Sequence, residues 1–234
     1  MIKNPYPGKY IAFEGMDGCG KTTQCARAFQ YLSAQLSVTT GEKVIKVKEP
    51  NKEVFGGELI YSLLFKEGPI GFSDMSSTMR QIHYFWNRMV HMTEIVIPAL
   101  EKGINVLTDR CHASVCLDVH QTGDLERLLA IQDYYFQTVG VLLIRPDLTI
   151  IYDLKPEIAL ERLEKKGRRD FFEQPGKLLQ TKMAYLEFAE KFSDFCQVVD
   201  ASQDEHTVFS QFTGELLHQN FPLMGWKTSN ELSR

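Results

Sequence analysis

Eight consecutive residues, Gly15-Met16-Asp17-Gly18-Cys19-Gly20-Lys21-Thr22, fit the spacing GxxxxGK[ST] and carry the most specific chemistry in the chain. Glycines let a backbone bend so that successive N–H groups face inward, forming an anion-binding nest at the mouth of a helix. Lys21 then reaches the β and γ phosphates of a bound nucleotide, and the Thr22 hydroxyl binds Mg²⁺. The pattern points to an enzyme handling ATP or a relative, with Gly15, Asp17, Gly18, Cys19, Gly20, Lys21, Thr22 and Thr23 as the nucleotide cradle.

Such a loop needs a strand before it and a helix after it. Tyr10 to Phe13 reads as a short apolar strand ending in Glu14, and Thr22 to Leu36 reads as a helix with apolar residues at Ala26, Phe29, Leu32 and Leu36. Further β-branched, apolar runs recur between helical stretches at Val44 to Val47, Ile104 to Leu107, Leu148 to Tyr152 and Gln197 to Val199. That alternation predicts an α/β fold with a parallel sheet and helices on both faces. Ligands in such folds collect beyond the carboxyl ends of the strands. Charged groups stand at these exits: Glu14, Lys48-Glu49-Pro50, Asp109-Arg110 and Asp153.

The remaining helices are predicted at Asp74 to Glu101, Gln121 to Val139, Glu157 to Lys166 behind Pro156, and Lys177 to Phe195, with Pro175 breaking the polar segment before the last. Residues from Asn220 to Arg234 form a polar tail. There is no internal repeat or low-complexity tract.

A chain of 234 residues with 44% hydrophobic and 24% charged residues suits one sizeable domain that buries its core without staples. A net charge of −4 argues against non-specific binding of nucleic-acid polymers or anionic membranes. The five cysteines are odd in number and lack metal-ligand spacing, so they read as free thiols of a reducing compartment. The first residues lack an export-signal core and no apolar run reaches spanning length, so a cytoplasmic location is expected.

The motif alone does not separate GTPases, ATPases and small-molecule kinases. No NKxD-type guanine reader follows a predicted strand. Gly167-Arg168-Arg169-Asp170 reads instead either as a basic flap closing over a transferred phosphoryl group, or as a solvated helix end favoured by the helix dipole.

Phe13 to Gln24, Lys48-Glu49-Pro50, Asn87-Arg88, Asp109-Arg110 with Ser114, Arg145 to Thr149, and Pro156 to Leu163 after Asp153 together resemble the thymidylate kinase family of nucleoside monophosphate kinases. The likeness extends over roughly residues 10 to 195, and its combined order and spacing are far more specific than any single motif. It implies a three-layer P-loop NTPase fold with a five-stranded parallel sheet, a single domain over residues 1–234, and a small lid near residues 165–176. The implied reaction is Mg²⁺-dependent transfer from ATP to a deoxynucleoside monophosphate, with dTMP the leading acceptor and a homodimer the usual assembly.

By the same resemblance, Lys21 and Thr22 serve the ATP phosphates and Mg²⁺, and Asp109 assists the metal. Asp17 takes the 3′-hydroxyl of the acceptor sugar, while Arg110, with Lys48 and Ser114, belongs to the acceptor-phosphate site. Arg88 donates to a base carbonyl, and Tyr84, one turn earlier, stacks on the base. For Tyr84 and Arg88, ordinary packing in the core is the competing reading.

Several positions depart from the family pattern. Lys48 replaces an arginine and loses its bidentate fork. Cys111 replaces an aromatic residue, and the aromatic that crowds the sugar 2′ position falls at Asp118. Gly18 supplies no arginine within the loop, and the usual lid arginine falls at Phe171, which turns attention to Arg168 and Arg169. Two other readings follow: a nucleotide-binding regulatory module without efficient transfer, or a kinase for a nucleoside or modified pyrimidine monophosphate, with Glu14 or Glu49 as a base for a nucleoside hydroxyl.

Overall fold

The structure, a computed structural model, describes residues 1–39, 41–121, 123–165 and 171–213. Its main sheet has five parallel strands in the order β3-β4-β2-β6-β7: β2 (Tyr10–Glu14), β3 (Val44–Lys48), β4 (Asn105–Asp109), β6 (Leu148–Asp153) and β7 (Cys196–Asp200). A separate parallel pair joins β1 (Ile2–Lys3) to β5 (Ile144–Arg145). The middle strand β2 and its neighbour β6 are largely apolar runs because both faces are covered, as parallel sheets require.

Alternate residues of each strand feed different cores. Tyr10, Val106 and Ile151 pack with α3 (Ser77–His91), α5 (Asp124–Val139) and α7 (Pro175–Lys191). Ile11, Phe13, Leu107 and Ile150 pack on the other side with α1 (Lys21–Thr39), α6 (Pro156–Glu164) and α8 (Glu205–Gln211). The three-layer architecture expected from the sequence is therefore present. The chain crosses from β2 to β3 and β4 on one side and to β6 and β7 on the other, so loops diverge at the carboxyl end of β2 and leave a crevice there.

Register fixes what faces that crevice. Phe13 lies opposite Asp109, and Lys48 is also paired with Asp109 across the next ladder. The Arg110 N–H donates to Phe13 O at 3.0 Å, and the Glu49 N–H to Asp109 O at 2.9 Å. Three of these strands run one residue further than predicted, and β4 starts one residue later and runs two further, so Glu14, Lys48, Asp109 and Asp153 end their strands.

Helix boundaries differ more. The predicted helix from Asp74 to Glu101 is three pieces: α3, a π turn at Met92–Val96, and α4 (Ile97–Glu101). It starts at Ser77 because Met75 is extended and the Ser76 hydroxyl accepts from Met79 N at 3.3 Å, an N-cap. Pro175 opens α7 at its first position, where a missing N–H costs nothing, and the helix stops at Lys191 short of Phe195. α2 (Gly57–Leu64), a 3-10 segment at His112–Asp118, and α8 were not foreseen. All five cysteines are buried and free. Among the described residues, no helix is long and apolar enough to cross a membrane.

Candidate functional site

The glycine loop leaves the middle strand and enters α1. Gly15, Gly18 and Gly20 have φ of 136°, 81° and 94°, in the region that favours glycine. A Cβ on Gly18 would lie 2.7 Å from Ala159 O, and one on Gly15 would lie 2.8 Å from Tyr152 O. The loop is thus pressed against β6 and α6, and position 18 has no room for a working side chain.

Inside the loop, Asp17 joins two cations. Its Oδ1 accepts from Lys21 Nζ at 3.2 Å and from Arg110 Nη2 at 2.7 Å. Burial pushes the Asp17 carboxyl up, but Arg110 and then Lys21 overcome it, and the net position is far below the usual carboxylate range. Arg110 has φ of 76°, a strained backbone for a side chain of its size. Its guanidinium is over-determined: Nη1 donates to Gly15 O and to Tyr185 Oη, both at 3.2 Å.

Glu14 sits beneath this arginine. It accepts from Cys111 N at 2.7 Å, from the Ser114 hydroxyl, and from Tyr185 Oη at 2.7 Å. Burial raises its pKa despite Arg110 and these donors. With both oxygens taken, Glu14 positions Arg110 rather than facing a reactive hydroxyl as a base. Tyr185 comes from α7 and was not singled out in the sequence, where it reads only as an apolar helix position.

A pocket above the loop brings together Asp17, Lys48, Tyr84, Arg88, Arg110 and Ser114, all six expected acceptor-site residues. Tyr61, Leu64, Phe65, Leu117 and Phe172 add an apolar lining. Tyr84 packs on Phe72 and Phe172 with ring centres 5.3 and 6.5 Å apart. Arg88 is buried and its Nε donates to Glu49 Oε2 at 2.6 Å, while Gln132 and the Cys111 carbonyl take two further N–H groups. Glu49 is held low by Arg88 against the upward push of its own burial. Asp118 does not line the pocket. It is buried, accepting from Arg80 and Gln81, and Leu117 lines the wall beside it.

A second cleft, lined by Cys19, Gly20, Thr23 and Arg162, lies across the glycine loop from the first. Thr22 and Asp109 line a third opening beside Lys48. There the Thr22 hydroxyl donates to Asp109 Oδ2 at 2.6 Å, while Asp109 Oδ1 is buried without a partner. One hydroxyl and one carboxylate with an oxygen to spare fit Mg²⁺, which takes few protein ligands when phosphates supply others. Among the described residues, no group of three or more His, Cys, Asp or Glu side chains forms a dedicated metal cage.

Arg168 and Arg169 lie outside the described residues, as does the polar tail. Phe171, at the place of the usual lid arginine, stacks under Arg80 at 4.7 Å and Lys177 at 2.7 Å.

Comparison with known proteins gives the same direction. The family described as thymidylate kinase matches residues 13–212. A thymidylate kinase of Thermosipho melanesiensis is 31% identical over 204 residues, covering 86% of this chain and 94% of the relative. One from Dinoroseobacter shibae is 32% identical over 214 residues, covering 90% and 97%. A probable thymidylate kinase of Pyrococcus abyssi is 29% identical over 91% of this chain and 97% of its own length.

Two outcomes follow from this geometry. Tyr185→Phe removes the hydroxyl between Glu14 and Arg110, and a folded variant should lose about tenfold in kcat/KM, the worth of one buried hydrogen bond to a charged group; an unchanged value in steady-state assays would show Arg110 needs no such support. Asp17 and Glu49 have lowered folded pKa values, so the stability they contribute is complete above about pH 4, their unfolded range, and is lost as pH falls further. Glu14 has the opposite sign, its raised pKa lessening the loss at low pH. Urea unfolding between neutral and acid pH should show a shallower acid loss in Asp17→Asn than in wild type.

Proposed function

The chain belongs to the thymidylate kinase family, and on that premise we propose how its residues carry out the ATP-dependent phosphorylation of dTMP to dTDP. The observation that carries the proposal is the convergence of Lys21 and Arg110 on the Asp17 carboxylate, in the wall of the acceptor pocket that the glycine loop forms. Two fixed cations at that point suit a phosphoryl group passing from the glycine loop to the acceptor.

ATP lies along the glycine loop, its phosphates on the N–H groups of residues 15–23 and on Lys21. Thr22 and Asp109 hold Mg²⁺, which when bound neutralises charge on the phosphate oxygens. Lys48 and Arg110 hold the dTMP phosphate, with Ser114 steadying Glu14 beneath them. Tyr84 stacks on thymine, Arg88 donates to a base carbonyl with its remaining N–H groups, and Asp17 receives the sugar 3′-hydroxyl. An oxygen of the dTMP phosphate attacks the γ phosphorus in line, and the bond to the β–γ bridging oxygen breaks to release ADP. The dianion is already a nucleophile, so no general base is needed, and positioning and charge stabilisation supply the rate. From the sequence, Arg168 or Arg169 takes the part of the usual lid arginine, which the uncharged Phe171 cannot fill.

The cations of the acceptor pocket favour a monophosphate over an uncharged nucleoside hydroxyl. Free, buried cysteines suit a reducing compartment such as the cytoplasm. The working unit is a homodimer, supported by Met79, Ile82 and Trp86, which are 53%, 42% and 42% exposed along one stripe of α3.

Assayed with Mg·ATP and a panel of monophosphates, the protein should yield dTDP from dTMP; binding without any diphosphate product would leave a regulatory module instead. Lys21→Ala and Arg110→Ala should each reduce turnover by at least about 10²-fold with folding intact, and wild-type turnover in either would remove its assigned role. Light scattering should give twice the chain mass, and a monomeric mass across the working concentration range would refute the dimer.

A further inference from the structure

Behind the acceptor pocket the Glu49–Arg88 pair continues into the core at a group with no assigned role. Arg88 spends three of its five N–H groups on Glu49, Gln132 and the Cys111 carbonyl. Its orientation therefore depends on the carboxylate of Glu49, which also lines the pocket. That carboxylate is anchored at one end only. Oε2 holds Arg88, but Oε1 is buried and accepts no hydrogen bond.

His91 stands next to the loose oxygen. Its Nδ1 lies 3.5 Å from Glu49 Oε1, in an orientation that makes no hydrogen bond, and neither ring nitrogen has a partner although the ring is fully buried. An ordinary core histidine has its nitrogens satisfied, since an unpartnered buried imidazole loses its hydration without compensation. His91 also lies three residues after Arg88, on the same face of α3, and the π turn begins at the next residue. Such turns re-aim side chains within a helix and recur at functional sites.

We propose that His91 is a positioning residue for the acceptor: it donates through Nδ1–H to Glu49 Oε1 and so fixes the carboxylate plane that holds Arg88 in the pocket wall. A small turn of the imidazole with a shift of a few tenths of an ångström makes the bond. With both oxygens held, the carboxylate cannot turn, and the two N–H groups of Arg88 left for the base keep their direction. The inference rests on the reading that Arg88 contacts the base of dTMP.

The test uses the full chain and steady-state kinetics. His91→Phe keeps a flat ring and removes the donor. It should raise the dTMP KM about tenfold, the effect of one buried hydrogen bond, with kcat and the Mg·ATP KM changed less than about twofold. His91→Gln, which can still donate, should recover most of the lost affinity. In an Arg88→Ala background, His91→Phe should add less than about twofold, because contacts acting through one residue are not additive. An equal effect in both backgrounds, or an unchanged KM in folded His91→Phe, would overturn the proposal. Should His91→Phe fail to fold, imidazole nitrogen NMR of the wild type decides: a hydrogen-bonded Nδ1–H supports the role, and an unprotonated Nδ1 ends it. Failure of the wild type to make dTDP would reject the underlying reading, whereas an active wild type with an insensitive KM rejects only this inference.

Discussion

Two cations and one carboxylate oxygen make the contact on which the site depends. Lys21 Nζ and Arg110 Nη2 approach Asp17 Oδ1 at 3.2 and 2.7 Å, and like charges so close would repel strongly in a buried place without it. The carboxylate offsets that repulsion and is itself held ionised by the cations, as its lowered pKa records. On the proposed roles, an arriving phosphoryl group meets the same two cations while Asp17 keeps its place for the sugar hydroxyl. If Lys21 and Arg110 act as proposed, the charge distribution for transfer is built into the protein, and little reorganisation is left for the moment of reaction.

Holding those charges together falls to the sheet and to a buried polar layer under it. The ladder between β2 and β4 sets Arg110 beside Phe13, and the glycine loop leaves from the same strand. Arg110 then adopts a left-handed backbone, a conformation that persists only when its surroundings over-determine it. Gly15 O, Tyr185, Asp17 and Glu14 do so. The cost is visible in Glu14, whose pKa is raised by burial, and in Asp118, raised in the same way beside Arg80. Buried pairs of this kind add little to net stability, but they leave each charge one low-energy place to be.

Much of this was legible before any coordinates. The glycine loop, the five parallel strands and the charged strand exits follow from local spacing and alternation, since a strand buried on both faces needs an apolar run and a phosphate nest needs glycines. Lys48, Tyr84, Arg88, Arg110 and Ser114, carried over by resemblance, do share one pocket. Other features had no local signal. Tyr185 reads as one more apolar helix position, and only the packing of α7 against the 3-10 segment brings its hydroxyl to Glu14. The helix from Asp74 fails because periodicity ignores the cap at Ser76 and the π turn after His91. Asp118 turns from the pocket because Arg80 and Gln81 hold it in the core.

The amino-acid order alone determined the chemistry available and the order of the elements: a phosphate loop with its lysine and threonine, an aspartate-arginine pair at a strand end, and helices alternating with strands. These are properties of residue type and short-range spacing, which a linear chain displays directly. Tertiary structure decided which charges neutralise one another, which arginine is free to meet a ligand, and which side chains face the pocket. Those outcomes depend on distances between residues 14, 17, 110 and 185, or 49, 88 and 91. Electrostatic and hydrogen-bond energies act over a few ångströms of space, and only folding makes such residues neighbours.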